Sequence, residues 1–94
     1  MHQMYKKELL DVFAKIGSKT DMDTFLSAIL SPSEYQDIIF RLQIVKLLQQ
    51  GLPQREIAEK LGVSIAKVTH GSRELQSKKN GFKKIFKLYY ESGF

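Results

Sequence analysis

Cysteine is absent from this 94-residue chain, which removes disulfide frameworks and thiolate metal sites from consideration. Histidine is scarce, with only His2 and His70, so a histidine-based metal site is not expected either. Long apolar runs are missing: nothing approaches the ~18 residues of a membrane-spanning helix, and no basic leader precedes an apolar core with a small-residue cleavage site. A cytoplasmic protein is expected. The sequence has no alternating strand pattern, internal repeat or low-complexity tract. It also offers no nucleophile-base pair, glycine-rich phosphate loop or metal cluster, and the reading is of a protein that is not an enzyme. The two prolines, Pro32 and Pro53, both stand where helices begin.

What is present is basic charge, unevenly placed. Residues 1 to 52 are neutral, whereas Arg55, Lys60, Lys67, Arg73, Lys78, Lys79, Lys83, Lys84 and Lys87 face only Glu56, Glu59, Glu74 and Glu91 beyond them. All of the formal charge of +5 therefore lies in the second part, as attraction to phosphate requires. The plainer alternative is a solvated face.

The periodicity predicts an all-α chain folding as one domain over residues 1–94, with 1–52 mainly core, a helix pair over 53–76 and a last helix over 80–91. Tyr5, Leu9, Val12, Phe13 and Ile16 recur at helical spacing and predict a first helix from about residue 3 to Ile16, which Gly17 can end. After Ser18-Lys19-Thr20-Asp21, a short helix carries Met22, Phe25, Leu26, Ile29 and Leu30. Ser31-Pro32-Ser33-Glu34 is a capping box, with proline where losing an amide is free. The third helix, to Gln50, has Ile38, Ile39, Phe40, Leu42, Ile44, Val45, Leu47 and Leu48 on nearly every side. A helix apolar all round is buried all round. A chain of this size buries only about 60 to 65 per cent of its unfolded surface, so a second copy is expected to supply the rest. The last helix sets Phe82, Ile85, Phe86 and Tyr89 on one face, with Lys83, Lys84 and Lys87 mostly elsewhere; a membrane-surface role is the alternative reading of that pattern.

Residues 53 to 76 carry the strongest signal. Ala58 falls where crossing helices approach, Gly62 where a turn needs positive φ, and Val68 where the second helix packs back. Ile57, Leu61, Val63 and Val68 form the seam, and Ser64 can cap a second helix starting near Ile65. This helix-turn-helix points to double-stranded DNA. With the second helix in the major groove, Ser64, Ile65, Ala66, Lys67 and Thr69 would face base edges. Lys67 is the long polar reader among them, and Arg55 can donate a bidentate pair to guanine. Gln54, Thr69, Ser72 and Arg73 suit phosphate oxygens. Against this, Lys67 and Lys60 can simply be solvated, and Ser64 can act as a cap alone.

These residues resemble the tryptophan repressor family over roughly Asp21 to Glu91. The matching residues are Leu30-Ser31-Pro32-Ser33-Glu34, Arg41 with Ile44-Val45 and Gly51, Gln54-Arg55-Glu56, Leu61-Gly62, Ile65-Ala66, Thr69 and Gly71-Ser72. The resemblance implies a six-helix subunit in an intertwined homodimer, a near-palindromic operator, and L-tryptophan as corepressor with no metal. It also implies a ligand site in which Arg41 covers the indole, Ser31 approaches the carboxylate, carbonyls near Ala28 and Leu30 receive the ammonium, and Gly71 gives the ring close access. Without the resemblance, Arg41 reads as an ion-pair partner of Asp37, four residues earlier.

Two departures bear on the ligand. His70 stands where the family has an arginine that covers the other indole face, and Glu74 replaces a small hydroxyl residue. Histidine lacks the forked donors of arginine. Tryptophan bound more weakly, a different small aromatic ligand with an amine suited to Glu74, and a ligand-free His70-Glu74 brace all remain open. So do a ligand-independent DNA-binding dimer and a protein-interaction module.

Overall fold

A computed structural model describes residues 1–77 and 81–90. Among them are six helices and no strand: α1 (His2–Lys15), α2 (Lys19–Ile29), α3 (Pro32–Gln49), α4 (Gln54–Leu61), α5 (Ile65–Gln76) and α6 (Phe82–Tyr89). The chain divides into two compact units, Met1–Gln36 and Asp37–Phe94. Each is described by itself.

In the first unit, α1 and α2 meet through aromatic rings. Phe13 sets its edge against Phe25 with centroids 5.1 Å apart and planes at 88°, an arrangement worth about 0.5–1.5 kcal/mol beyond area burial. Of the rest of the expected apolar stripe of α1, Tyr5, Leu9 and Val12 stay open, Tyr5 being 62% exposed, and Ile16 is half-buried. The second helix starts earlier than the sequence reading placed it. Ser18 is its N-cap, its hydroxyl accepting from the amide of Asp21 at 3.1 Å, so Lys19, Thr20 and Asp21 are helical rather than connecting. A Ser-x-x-Asp run has loop composition and cap geometry at once, and here the cap prevails. At the start of α3 the capping box is complete. The Glu34 amide donates to Ser31 Oγ at 3.1 Å and the Ser31 amide to Glu34 Oε1 at 2.8 Å.

In the second unit, the core is Ile44, Leu47, Ile57 and Val68, flanked by Leu48, Leu52, Ala58, Leu61 and Val63. Burying each large aliphatic side chain contributes about 1.5–3 kcal/mol before conformational entropy is counted. Two glycine turns frame α4. Gly51 has φ +89, and beyond α3 the amide of Leu52 donates to the Leu47 carbonyl and that of Gly51 to Leu48. Gly62 has φ +67, with Val63 donating to Ala58 and itself to Glu59. Both are Schellman closures, which satisfy the last carbonyls of a helix and need the left-handed conformation glycine permits.

Within one chain α3 is buried only in part, as a helix that one subunit cannot surround should be: Ile44, Val45 and Leu47 are buried, whereas Ile38 and Ile39 remain 43% and 47% exposed. One subunit has too few elements to cover both halves of an 18-residue helix. On α6 the packed edge is Phe82, Phe86 and Tyr90, with successive centroids 5.8 and 5.2 Å apart, while Ile85 and Tyr89 are exposed. An i, i+4, i+8 spacing aligns rings that the expected stripe divided. Asn80 and Glu91, the expected bounds of that helix, and the Lys78-Lys79 pair lie outside the described residues.

Tyr35 donates its hydroxyl to Asp23 Oδ1 at 2.8 Å. That bond, then burial and the charge of Asp23, raise the phenol above its ordinary range. Since the folded-state pKa exceeds the unfolded value of about 10, the bond's contribution to stability is present below that pH and is lost as pH rises through the folded value. Alkaline absorbance titration should show a late-ionising tyrosine that disappears in Asp23→Asn; an unchanged titration curve contradicts the assignment.

Candidate nucleic-acid interface

The helix pair α4-α5 is built from its turn outward. After Gly62 reverses the chain, the Ser64 hydroxyl accepts from the Lys67 amide at 3.2 Å, which fixes the first turn of α5. This turn carries Ile65, Ala66 and Lys67, all exposed, with Ile65 51% open although it is a large aliphatic residue. Arg55 is exposed on the first turn of α4, and Arg73 is exposed further along α5, with Ser72 half-buried beside it. Of the residues assigned to bases, Ser64, Ile65, Ala66 and Lys67 therefore sit together at the start of α5, with Thr69 further along it and Arg55 on α4.

Gln54 and Thr69 are engaged with each other. The Thr69 hydroxyl lies 2.9 Å from Gln54 Oε1 and 3.0 Å from the carbonyl of Ile65, so its one proton has two acceptors inside the fold. A phosphate oxygen requires a donor, and Thr69 has none to spare in this arrangement; the Gln54 amide nitrogen retains its own. The bond ties the start of α4 to the middle of α5 across fifteen positions, a separation at which sequence spacing is silent.

Beside this end lies a cavity of about 270 Å³ lined by Asp37, Phe40, Arg41 and Ile44 of α3 and by Ala66, Lys67, His70 and Gly71 of α5. The α3 residues follow the i, i+3, i+4, i+7 rule of a single helix face. Phe40 and Ile44 give an apolar floor. Arg41, Lys67 and His70 supply basic groups against the one carboxylate of Asp37. Gly71 is needed for closure: a Cβ there would lie 2.7 Å from Ile44 Cγ2, a stiff branched side chain that is itself buried.

Of the ligand residues expected from the sequence, the structure brings Arg41, His70 and Gly71 to this cavity. Glu74 is not there. It lines a different cavity, of about 530 Å³, with Leu42 and the aromatic face of α6, because one turn beyond His70 the helix has already left the first one. The reading in which Glu74 selects an amine-bearing ligand loses its geometric support. No hydrogen bond or ion pair joins His70 to Glu74 among the described residues. Ala28, Leu30 and Ser31 belong to the first unit, where the Ser31 hydroxyl and amide serve the capping box.

Asp37 pairs not with Arg41 but with Lys67, at 3.4 Å from Nζ to Oδ1. Arg41 has no ion-pair partner among the described residues and remains available on the cavity wall. Asp37 and Phe40 are lining residues that the sequence reading missed; their helical spacing with Arg41 and Ile44 was the signal that could have found them. The described residues contain no group of acidic or histidine side chains able to hold a metal ion.

Comparison with known proteins finds a matching family and several relatives. The profile of the family described as Trp repressor protein matches residues 5–89. A Trp operon repressor homolog of Xylella fastidiosa strain M23 is 45% identical over 69 residues, covering 72% of this chain and 75% of the relative. The Trp operon repressor homolog of Chlamydia trachomatis serovar D is 44% identical over 78 residues, covering 78% and 83%. That of Vibrio cholerae serotype O1 is 36% identical over 73 residues, covering 77% and 71%. No solved structure matches the chain.

Gly71→Ala should destabilise the chain by about 1–3 kcal/mol, the usual cost of overpacking a tight helix contact. Denaturant unfolding reads this directly, and a variant as stable as the parent contradicts the close approach.

Proposed function

The chain belongs to the Trp repressor family, and on that premise we propose that it is a homodimeric repressor that binds a near-palindromic operator, with L-tryptophan as corepressor controlling genes of tryptophan metabolism. Membership makes it a transcriptional repressor. The observation that carries the finer reading is the cavity lined by Arg41 and His70, one wall of which is the helix whose first turn presents Ile65, Ala66 and Lys67. A ligand there adjoins the groups that would read DNA, so occupancy and recognition share one helix. Binding would shift the population of α5 orientations toward those that fit two successive major grooves, about 34 Å apart.

Homodimerisation is supported by the apolar surface one chain leaves open: Ile38 and Ile39 on α3, Leu88 at 61% and Tyr89 at 74% exposure on α6, and Tyr5 and Leu10 on α1. Scattered apolar residues are ordinary on a surface, but exposed large apolar residues recurring on three helices support a reading in which a second copy covers them. The whole chain would then act as a single dimer-forming domain. A cytoplasmic location suits this role, and no helix among the described residues is long and apolar enough to cross a membrane.

Within this function the DNA contacts proposed are Arg55, Ile65, Ala66 and Lys67 toward base edges, Gln54, Ser72 and Arg73 toward phosphate, and Ser64 and Thr69 as residues that hold the reader in place. His70 favours a second reading, a dimer that binds DNA without tryptophan, because its ring lacks the paired donors an indole carboxylate would meet on arginine.

Titration of labelled operator DNA with the protein should give affinity that rises with tryptophan and falls steeply with salt. Arg55→Ala should lose about 1–3 kcal/mol of it. Affinity indifferent to tryptophan selects the second reading, and salt-insensitive or absent DNA binding removes both. By calorimetry, His70→Arg should raise tryptophan affinity by roughly tenfold or more, the worth of a charge-assisted bond, whereas Glu74→Ser should not change it. A reversed order of these two effects contradicts the cavity assignment.

A further inference from the structure

Lys67 occupies two places at once. It is the third residue of α5, its amide fixed by the Ser64 cap, and its side chain turns back along the cavity so that Nζ lies 3.4 Å from Asp37 Oδ1. Both side chains are about half exposed, at 56% and 50%, and both line the cavity. Among the described residues the one other ion pair, Lys7 with Asp11, is a local i, i+4 contact on α1. Among the described residues the Lys67-Asp37 pair is therefore the ion pair that joins two helices, and it joins α5 to the one carboxylate on the cavity's described lining.

A lysine held by a carboxylate does not offer its full charge to a phosphate or a base. Asp37, in turn, is the one cavity group suited to a ligand ammonium, since Arg41, Lys67 and His70 are donors that suit a carboxylate. We propose that Asp37 exchanges partners: the ammonium of an aromatic amine or amino acid bound over Phe40 and Ile44 takes Asp37, and Lys67 is released to DNA. The inference rests on the repressor reading and deepens it by naming the residue that couples ligand to DNA. The exchange alters the charge presented by the first turn of α5 without requiring the helix to move. Coupling is reciprocal, so DNA that draws Lys67 away raises affinity for the amine by the same factor. A pair this exposed is worth little in water, and the coupling amounts to about two- to fivefold in affinity.

The test uses Lys67→Met and Asp37→Asn in the full chain. By calorimetry, Lys67→Met, which leaves Asp37 without its competing lysine, should bind tryptophan and tryptamine about two- to fivefold more tightly than the parent, while indole-3-propionate, which has no amine, should not tighten. An equal change for all three probes, no change for any, or a parent chain that binds none of them overturns the exchange. With a short random-sequence duplex and no ligand, Asp37→Asn should bind about two- to fivefold more tightly, and this gain should vanish when Lys67→Met is also present. A gain that survives Lys67→Met is general charge removal and overturns the release of Lys67, as does the absence of a gain. If the parent shows no salt-dependent duplex binding, the repressor reading itself fails, and the three-probe calorimetry still decides the role of Asp37.

Discussion

The distance between α3 and α5 is set where Gly71 faces Ile44. With hydrogen in place of a side chain, the two backbones come close enough that any Cβ would stand 2.7 Å from the Ile44 methyl group. Fully buried Val68, three residues earlier on α5, belongs to the same core as Ile44 and Ile57. The cavity opens beside that contact, its floor made by Phe40 and Ile44 and its far wall by His70 and Lys67. Were the helices a methyl group further apart, the core would loosen and Lys67 would lie further from Asp37.

Around this contact, local devices hold α4 and α5 as a pair. The left-handed glycines at 51 and 62 close α3 and α4, the Ser64 cap starts α5, and the Thr69-Gln54 bond spans α4 and α5. Each is a bond or a permitted backbone region rather than a large buried surface. A chain of 94 residues has little interior to offer, and hydrogen-bonded caps stabilise short helices at small cost in chain length.

Much of this was legible in the sequence because caps and turns are written locally. Ser31-Pro32-Ser33-Glu34 and Ser64 announced helix starts, Gly51 and Gly62 announced ends, and Ile57 and Val68 announced the seam. Ser18 was misread because loop composition and cap chemistry use the same residues. What one dimension hides is the partner across space. A sequence argument reaches only Arg41, at i+4 from Asp37, whereas Lys67 stands thirty positions away and is brought in by the crossing of α3 with α5. Glu74 and His70 are neighbours along one helix, yet they serve different cavities, since each helical turn faces a different part of its surroundings. Thr69 illustrates the same limit: its hydroxyl was a free donor on paper and is taken in the fold.

The cavity lining and the apolar core are nearly separate sets of residues. Ile44 belongs to both, and Gly71 serves both by its lack of a side chain, whereas Asp37, Phe40, Arg41, Lys67 and His70 contribute to the lining without entering the core. Substitution can thus remodel this chamber by exchanging those five, at little risk to folding, so long as the two shared positions stay fixed. Differences between such chambers would then concentrate on the variable wall, leaving the packing contact beneath it unaltered.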